Sequence, residues 1–296
     1  AEALEGMLRT CYALFTNSKF LGLMLALSGL AYLSIIAVSL LVGTVLTTLV
    51  LQLDWHVVLF EWVEPRVRWR CTSTVARSRG LVGLTIDDVP LLDSSSHLEE
   101  ILDILKEHGV KATLFVMSGF CLANDEALRE KNEALLTRAV AEGHELGNHQ
   151  MFDEPAFTLS PSDLEAKFAH CDELLRKVQP LSSPRWHRPG SGVWTPHIID
   201  TGARFGYESA VLANCFPHDT ASALTLLHRW LLVARARSGC IALVHDRHYT
   251  PDTLRYALPR IAAKGLRCVT LSTLFDAASE ANDNVQAPPD HVSPAC

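Results

Sequence analysis

The residues best suited to chemistry are two adjacent carboxylates, Asp87-Asp88, a His149 followed four residues later by Asp153, an Arg188, and the pair His245-Asp246. A divalent cation needs about three hard or borderline ligands and one position open to water, and an Asp, a His and a second carboxylate meet that need for zinc, cobalt or manganese. Asp88, His149 and Asp153 form such a set. Successive side chains at a strand end point apart, so only one of two adjacent carboxylates coordinates an ion easily, and Asp87 is left as a base. Water activated by the ion is a nucleophile that Asp87 can deprotonate as it attacks a carbonyl. His245, expected on the opposite side of the site, then protonates the leaving amine or alcohol. A backbone N–H from the Gly190-Ser191-Gly192 turn shares the oxyanion. The chemistry so assembled is metal-assisted hydrolysis of an amide or ester.

Such residues need elements that bring them to one rim. From Leu81 onward short apolar runs alternate with helical stretches, the rhythm of a parallel α/β domain. Strands are expected at Leu81–Ile86, Ala112–Met117, Glu145–Asn148, Arg185–Arg188, Glu208–Leu212, Cys240–Val244 and Cys268–Leu271, with helices near His97–His108, Asp125–Glu142, Pro161–Val178, Pro196–Phe205, Ala223–Arg235 and Pro251–Ala263. Ser160-Pro161, Thr195-Pro196 and Thr250-Pro251 each place a capping hydroxyl before a proline, which suits a helix start. The expected fold is α/β, a distorted (β/α) barrel of about seven parallel strands preceded by one transmembrane helix. Barrels and open α/β sheets both place chemistry at the carboxyl ends of strands, where these polar residues fall.

Four segments resemble the polysaccharide deacetylases, carbohydrate esterase family four, which includes chitin and peptidoglycan deacetylases. They are Thr85-Ile86-Asp87-Asp88-Val89-Pro90, Gly143 through His149, Arg188-Pro189-Gly190-Ser191-Gly192, and Ile241 through Asp246, in the family's order. The resemblance implies the distorted barrel, with Asp87 as catalytic base, Asp88 and His149 as metal ligands and His245 as catalytic acid. It further implies that Arg188 orients Asp87, that Val244 belongs to the acetyl-methyl pocket, and that the Ser191 N–H is the oxyanion donor. One divalent metal is expected, zinc first, with cobalt or manganese as alternatives. The implied substrate is an acetylated, GlcNAc-containing glycan or polysaccharide. O-acetyl esters or small amides would use the same site, and a non-catalytic membrane glycan-binding relative is the reading from another class.

The segments depart from the family pattern in three places. Asp153 stands where a second His follows the first, with Glu154 as the competing ligand; an Asp-His-Asp set makes the ion a weaker Lewis acid and favours harder metals. Val89 replaces a Gly, which suits a backbone that keeps φ negative there. The aspartate-tryptophan motif after the fifth strand is not evident, and Asn214-Cys215-Phe216-Pro217-His218-Asp219 lies in its place. Phe216 is then a candidate to close the acetyl pocket, and Asp219 to tune His245.

Composition sets the surroundings. The 296 residues are 48% hydrophobic with net charge −7, which excludes a disordered or collagen-like chain. Residues 80–296 hold 28 acidic against 19 basic side chains, a poor basis for binding nucleic acid. Phe20 to Leu53 holds no charged residue over 34 positions, which reads as one membrane anchor, residues 20–53, in contact with lipid. Residues 1–19 form a short tail, and 54–80 a juxtamembrane stem with Trp55, Trp62 and Trp69 at headgroup level. Residues 81–276 are the catalytic domain, and 277–296 a disordered tail. The chain opens with Ala1 rather than Met, which leaves the natural amino terminus open. Basic residues after the span argue for a cytoplasmic domain, but they stand 13 or more residues beyond Leu53, and glycan polymers lie outside the cell or in the lumen. The catalytic domain is therefore expected on the extracellular or luminal side. Eight widely spaced cysteines form no C-x-x-C pair, which argues against a zinc ribbon.

Overall fold

The chain, whose computed structural model describes residues 6–7, 18–52, 55–93, 95–179, 185–217 and 225–277, divides into two units, residues 1–58 and 59–296. In the first, helix α1 (Ser18–Gln52) runs for 35 residues. Its window Ala26–Gly43 has a mean hydropathy of 2.1 and exposed side chains throughout. Even Ser34 turns its hydroxyl back onto the Leu30 carbonyl, 2.8 Å away. A helix apolar on every side has no face reserved for water. By length and composition it is able to cross a bilayer, alone among the described helices in this respect.

Helix α2 (Trp55–Val63) leads into the second unit, where eight strands form one sheet. In chain order these and their helices are β1 (Val67–Arg68), α3 (Thr74–Ser78), β2 (Leu81–Val89), α4 (Leu98–Glu107), β3 (Thr113–Val116), α5 (Glu126–Ala141), β4 (Glu145–Asn148), α6 (Pro161–Val178), β5 (Trp186–His187), α7 (Pro196–Arg204), β6 (Ser209–Val211), α8 (Thr225–Arg235), β7 (Ile241–His245), α9 (Thr250–Ala263) and β8 (Arg267–Val269). The sheet order is β1-β6-β5-β4-β3-β2-β7, with β8 on the opening of β2, and every strand pairing is parallel. Bridges from Cys215 to Ala242 and from Arg70 to Cys240 draw the far end of the sheet toward β7, curling it into the expected barrel.

Strand alternation divides the interior into two cores. Val82, Leu84 and Ile86 of β2 and Ala242 and Val244 of β7 face the helices, where they meet Ile101, Leu105 and Leu254. Leu81 and Ile241, on the opposite face of the same strands, join Phe115, Trp186, Leu271 and Leu274 in a second cluster inside the barrel. Further along that inner face come Thr85, Asp87, Leu243 and His245, so the polar residues sit on an apolar plug.

The structure alters several sequence expectations. The region read as a stem contributes β1 to the sheet, pairing Val67 with Ala210 and Arg68 with Val211, and it adds Cys71 and Ala76 to the inner cluster. Two residues among arginines are too short a run for periodicity to register. Trp62 is 81% exposed, whereas Trp69 is half-buried and stacks on Phe60 with centroids 5.5 Å apart. Ser160 and Thr195 cap α6 and α7 by accepting the N–H groups of Asp163 and Ile198. Thr250 does not cap α9: it is that helix's first residue, and its hydroxyl donates to the His245 carbonyl at 2.6 Å. The tail expected over 277–296 lies outside the described residues except for Ala277, which is buried.

Candidate active site

Asp87 closes the inner face of β2 and is buried. Arg188, just past β5, donates from Nη1 to Asp87 Oδ1 at 2.6 Å and to Thr85 Oγ1 at 2.9 Å, and from Nε to the Val211 carbonyl at 2.8 Å. Its guanidinium lies over the Phe115 ring, 4.1 Å from the centroid. Burial pulls the Arg188 pKa down and the Asp87 carboxylate opposes it. Removing either partner would leave a buried uncompensated charge, so the pair is fixed.

Asp88 turns the other way because its backbone is left-handed, with φ 61°. Its Oδ2 accepts from Arg247 at 2.6 Å. Its Oδ1 has no hydrogen-bond partner and faces His149 Nε2 at 3.4 Å. His149 donates from Nδ1 to the Arg188 carbonyl, 2.8 Å away, which fixes the ring and turns Nε2 toward Asp88. Asp153 completes the group, since one donor atom from each of Asp88, His149 and Asp153 lies within 4.8 Å of the others. An orphaned carboxylate oxygen opposed by an imidazole nitrogen, with a second carboxylate beside them, is the arrangement a divalent cation relieves, and the donor set fits one. In the protein alone, burial disfavours the His149 imidazolium, but Asp87 and Asp88 outweigh it and carry its pKa up to about 9. Burial likewise opposes ionisation of Asp88, yet the neighbouring His149, with His245 and Arg247, holds its pKa well below the usual carboxylate range.

The alternative ligand, Glu154, is instead paired with Lys167. Its backbone lies against Gly190, where an added Cβ would fall 2.2 Å from the Glu154 carbonyl oxygen. Ser191, at φ 59°, donates its N–H to Asp153 Oδ1 at 3.0 Å. The expected oxyanion donor therefore holds the third carboxylate in place. Asp88, Ser191 and Gln150 (φ 64°) are the non-glycine residues with positive φ among those described, and all three adjoin this group. Val89 is not among them, in keeping with its replacing a glycine.

His245 is not across the mouth from Asp87: β7 lies beside β2 and the two are register partners. The ring of Phe216 meets the His245 ring edge-on at 5.9 Å. Asp246 is buried and faces away, accepting the N–H groups of His97 (2.8 Å) and Leu91 (3.3 Å) and the Ser96 hydroxyl (2.5 Å). It caps α4 from 149 residues away and ties down the loop after β2. Burial raises its pKa despite these donors.

A cavity of about 430 Å³ joins these parts. Asp87, His149, Asp153, Arg188 and His245 form its polar side, and Leu212, Leu243, Phe216 and Trp69 its apolar side. Phe216 is among the residues that line it. Val244 does not line the cavity: alternation along β7 sends it to the helix-facing core and puts Leu243 inside. Asp219 lies outside the described residues. Sequence reasoning also missed Arg247, which the loaded end of β7 could have flagged, and Trp69, for which no local signal exists.

The family model described as polysaccharide deacetylase matches residues 74–210. The chitin deacetylase of Colletotrichum lindemuthianum is 30% identical over 213 residues, covering 68% of this chain and 82% of that protein. Two solved structures share the fold. A peptidoglycan N-acetylglucosamine deacetylase crystallised with 4-naphthalen-1-yl-N-oxidanyl-benzamide superposes with TM-score 0.62 at 24% identity, covering 73% of this chain and 96% of the other. A CE4 family pseudoenzyme from Bacillus anthracis does so with TM-score 0.60 at 20% identity, covering 71% and 69%.

Proposed function

The chain belongs to the polysaccharide deacetylase family, and on that premise we propose that it removes N-acetyl groups from a GlcNAc-containing glycan with one divalent cation held by Asp88, His149 and Asp153. It is a hydrolase of amide bonds of the chitin or peptidoglycan deacetylase type. The observation that carries the finer reading is the convergence on one cavity of an arginine-paired carboxylate, an imidazole and a three-residue donor set.

When bound, the cation polarises the acetyl carbonyl and lowers the pKa of the attacking water. Asp87 takes a proton from that water. Arg188, at 2.6 Å, fixes its orientation. The new C–O bond forms on the acetyl carbon. As the C–N bond breaks, His245 gives a proton to the amine nitrogen, so that acetate and a free amino sugar leave. The apolar side, with Leu212, Leu243 and Phe216, receives the acetyl methyl group.

We further propose that α1 anchors the protein and that the domain faces the extracellular or luminal side, with residues 1–19 cytoplasmic. Of the arginines that argued otherwise, Arg66 pairs with Glu64 and Asp200 and Arg70 with Glu61, inside the folded unit rather than along a free stem. This weakens their claim as orienting charges. Zinc remains the first choice of metal, with cobalt and manganese as alternatives.

One observation favours the non-catalytic alternative: Asp153 stands where the resemblance calls for a histidine, which adds negative charge at the ion. Metal analysis combined with acetate release from chitin oligomers, peptidoglycan and acetylxylan tests both readings. Acetate from an N-acetylated glycan supports deacetylation. Release from acetylxylan alone moves the assignment to O-acetyl esters, and a protein that holds no metal, releases no acetate and still binds one of these glycans is the non-catalytic relative.

A further inference from the structure

Trp69 belongs to β1's segment, ahead of the residues that the family model matches, yet it lines the cavity with Asp87 and His245. We infer that Trp69 is a substrate-contacting residue, offering its indole to the apolar face of a pyranose ring while the acetamide reacts. The inference rests on the glycan reading above.

The indole is held by a dedicated set of contacts. Phe60 of α2 stacks on it with an interplanar angle of 21°. The pairing of Arg68 with Val211, together with the Leu212 N–H donated to the Arg68 carbonyl at 2.8 Å, locks the strand segment just before it to β6. Just after it, Arg70 grips Glu61 of α2 through Nε (3.2 Å) and Nη2 (2.8 Å). Trp69 also packs on the cluster of Val67, Ile199, Ala210 and Leu212. The side chain is thereby anchored from α2, β1 and β6 while still lining the cavity. A rigid aromatic face costs little conformational entropy on binding.

The cavity's composition identifies the ligand. Its polar side supplies the reacting groups, whereas Trp69, Leu212, Ala213, Leu243 and Phe216 form a larger apolar side than one methyl group needs. A sugar ring has C–H faces with hydroxyls around its edge, and an amphipathic indole beside a polar rim suits it.

Trp69→Ala and Trp69→Phe in the metal-replete, detergent-solubilised full chain, with Trp62→Ala as exposed control, test this on penta-N-acetylchitopentaose and on ethyl acetate, an ester whose leaving group carries no ring. Trp69→Ala should raise KM for the oligomer by about tenfold with kcat nearly unchanged, the scale of one aromatic contact. Ester hydrolysis should be preserved, and Trp69→Phe should recover most of the loss. Because Phe keeps the stack on Phe60, it also covers the case in which the Ala variant fails to fold. If the wild type turns over the oligomer and Trp69→Ala matches Trp62→Ala, or if both substrates suffer equally, Trp69 does not contact substrate. A wild type that cleaves the ester but no glycan overturns the glycan reading, and this inference with it.

Discussion

At the residue scale the site depends on which carboxylate completes the donor set. Asp153 converges with Asp88 and His149, whereas Glu154 is held by Lys167. Asp153→Ala should therefore lower metal affinity by at least about 10–100-fold, the range found for lesser, outer-sphere changes. Glu154→Ala should leave it nearly unchanged, and metal content after dialysis against a graded chelator reads the difference. The reverse order would remove Asp153 from the site. Most of this group was legible because each residue follows a strand in its own local segment. The Glu154 alternative could not be settled from sequence, since the two acids are adjacent and only the fold shows which one Lys167 takes. Arg247 on Asp88 and Trp69 beside Asp87 are contacts between distant segments, with no local pattern to announce them.

At the scale of elements, the rhythm of apolar runs and helical windows located seven strands and six helices, because each buries a face with its own period. What it missed was β1, too short to have a period, and the inner or outer sense of β7, where a continuous apolar run hides the alternation that sends Val244 outward. Helix α7 offers a test of this packing. Gly202 lies against β5 so closely that an added Cβ would stand 2.3 Å from His187 Nε2, and His187 is itself wedged against Phe168, with centroids 5.3 Å apart. In an open helix Gly→Ala stabilises by about 1 kcal/mol. Here overpacking of about 1–3 kcal/mol should win, and Gly202→Ala should lower the urea midpoint. A stabilised variant would show that α7 does not press on β5.

At the scale of the whole molecule, two buried imidazoles set the response to acid. Burial takes His144 down to about 4, and His187 to about 3, from an ordinary value of 6.5. Both are neutral in the fold but protonated in the unfolded chain below about pH 6.5, so their stabilisation is complete above that pH and is lost as pH falls toward 4 and then 3. His149, raised to about 9, adds a smaller opposite increment between pH 7 and 5. Urea unfolding of chelated protein should therefore show a net loss on the order of a few kcal/mol between pH 7 and 5. The loss should be shallower in His144→Gln, and a flat profile would contradict neutral burial. The membrane proposal belongs to this scale too. Protease added to the cytosolic side of sealed vesicles should spare the domain after residue 80, and digestion of that domain from this side would place it in the cytoplasm.

If Asp87 is the base of a metal-dependent deacetylation, Asp87→Asn should remove turnover without removing the metal, because the amide keeps the side chain's shape and is no base. Metal content and acetate release from chitin oligomers are measured on the same samples of wild type and variant across pH. The wild type should show a bell-shaped profile, and the variant should keep about one metal per chain while its turnover falls by about 10²–10⁴. Near-normal turnover by a metal-replete Asp87→Asn protein, or no acetate from a metal-replete wild type, would contradict that role for Asp87.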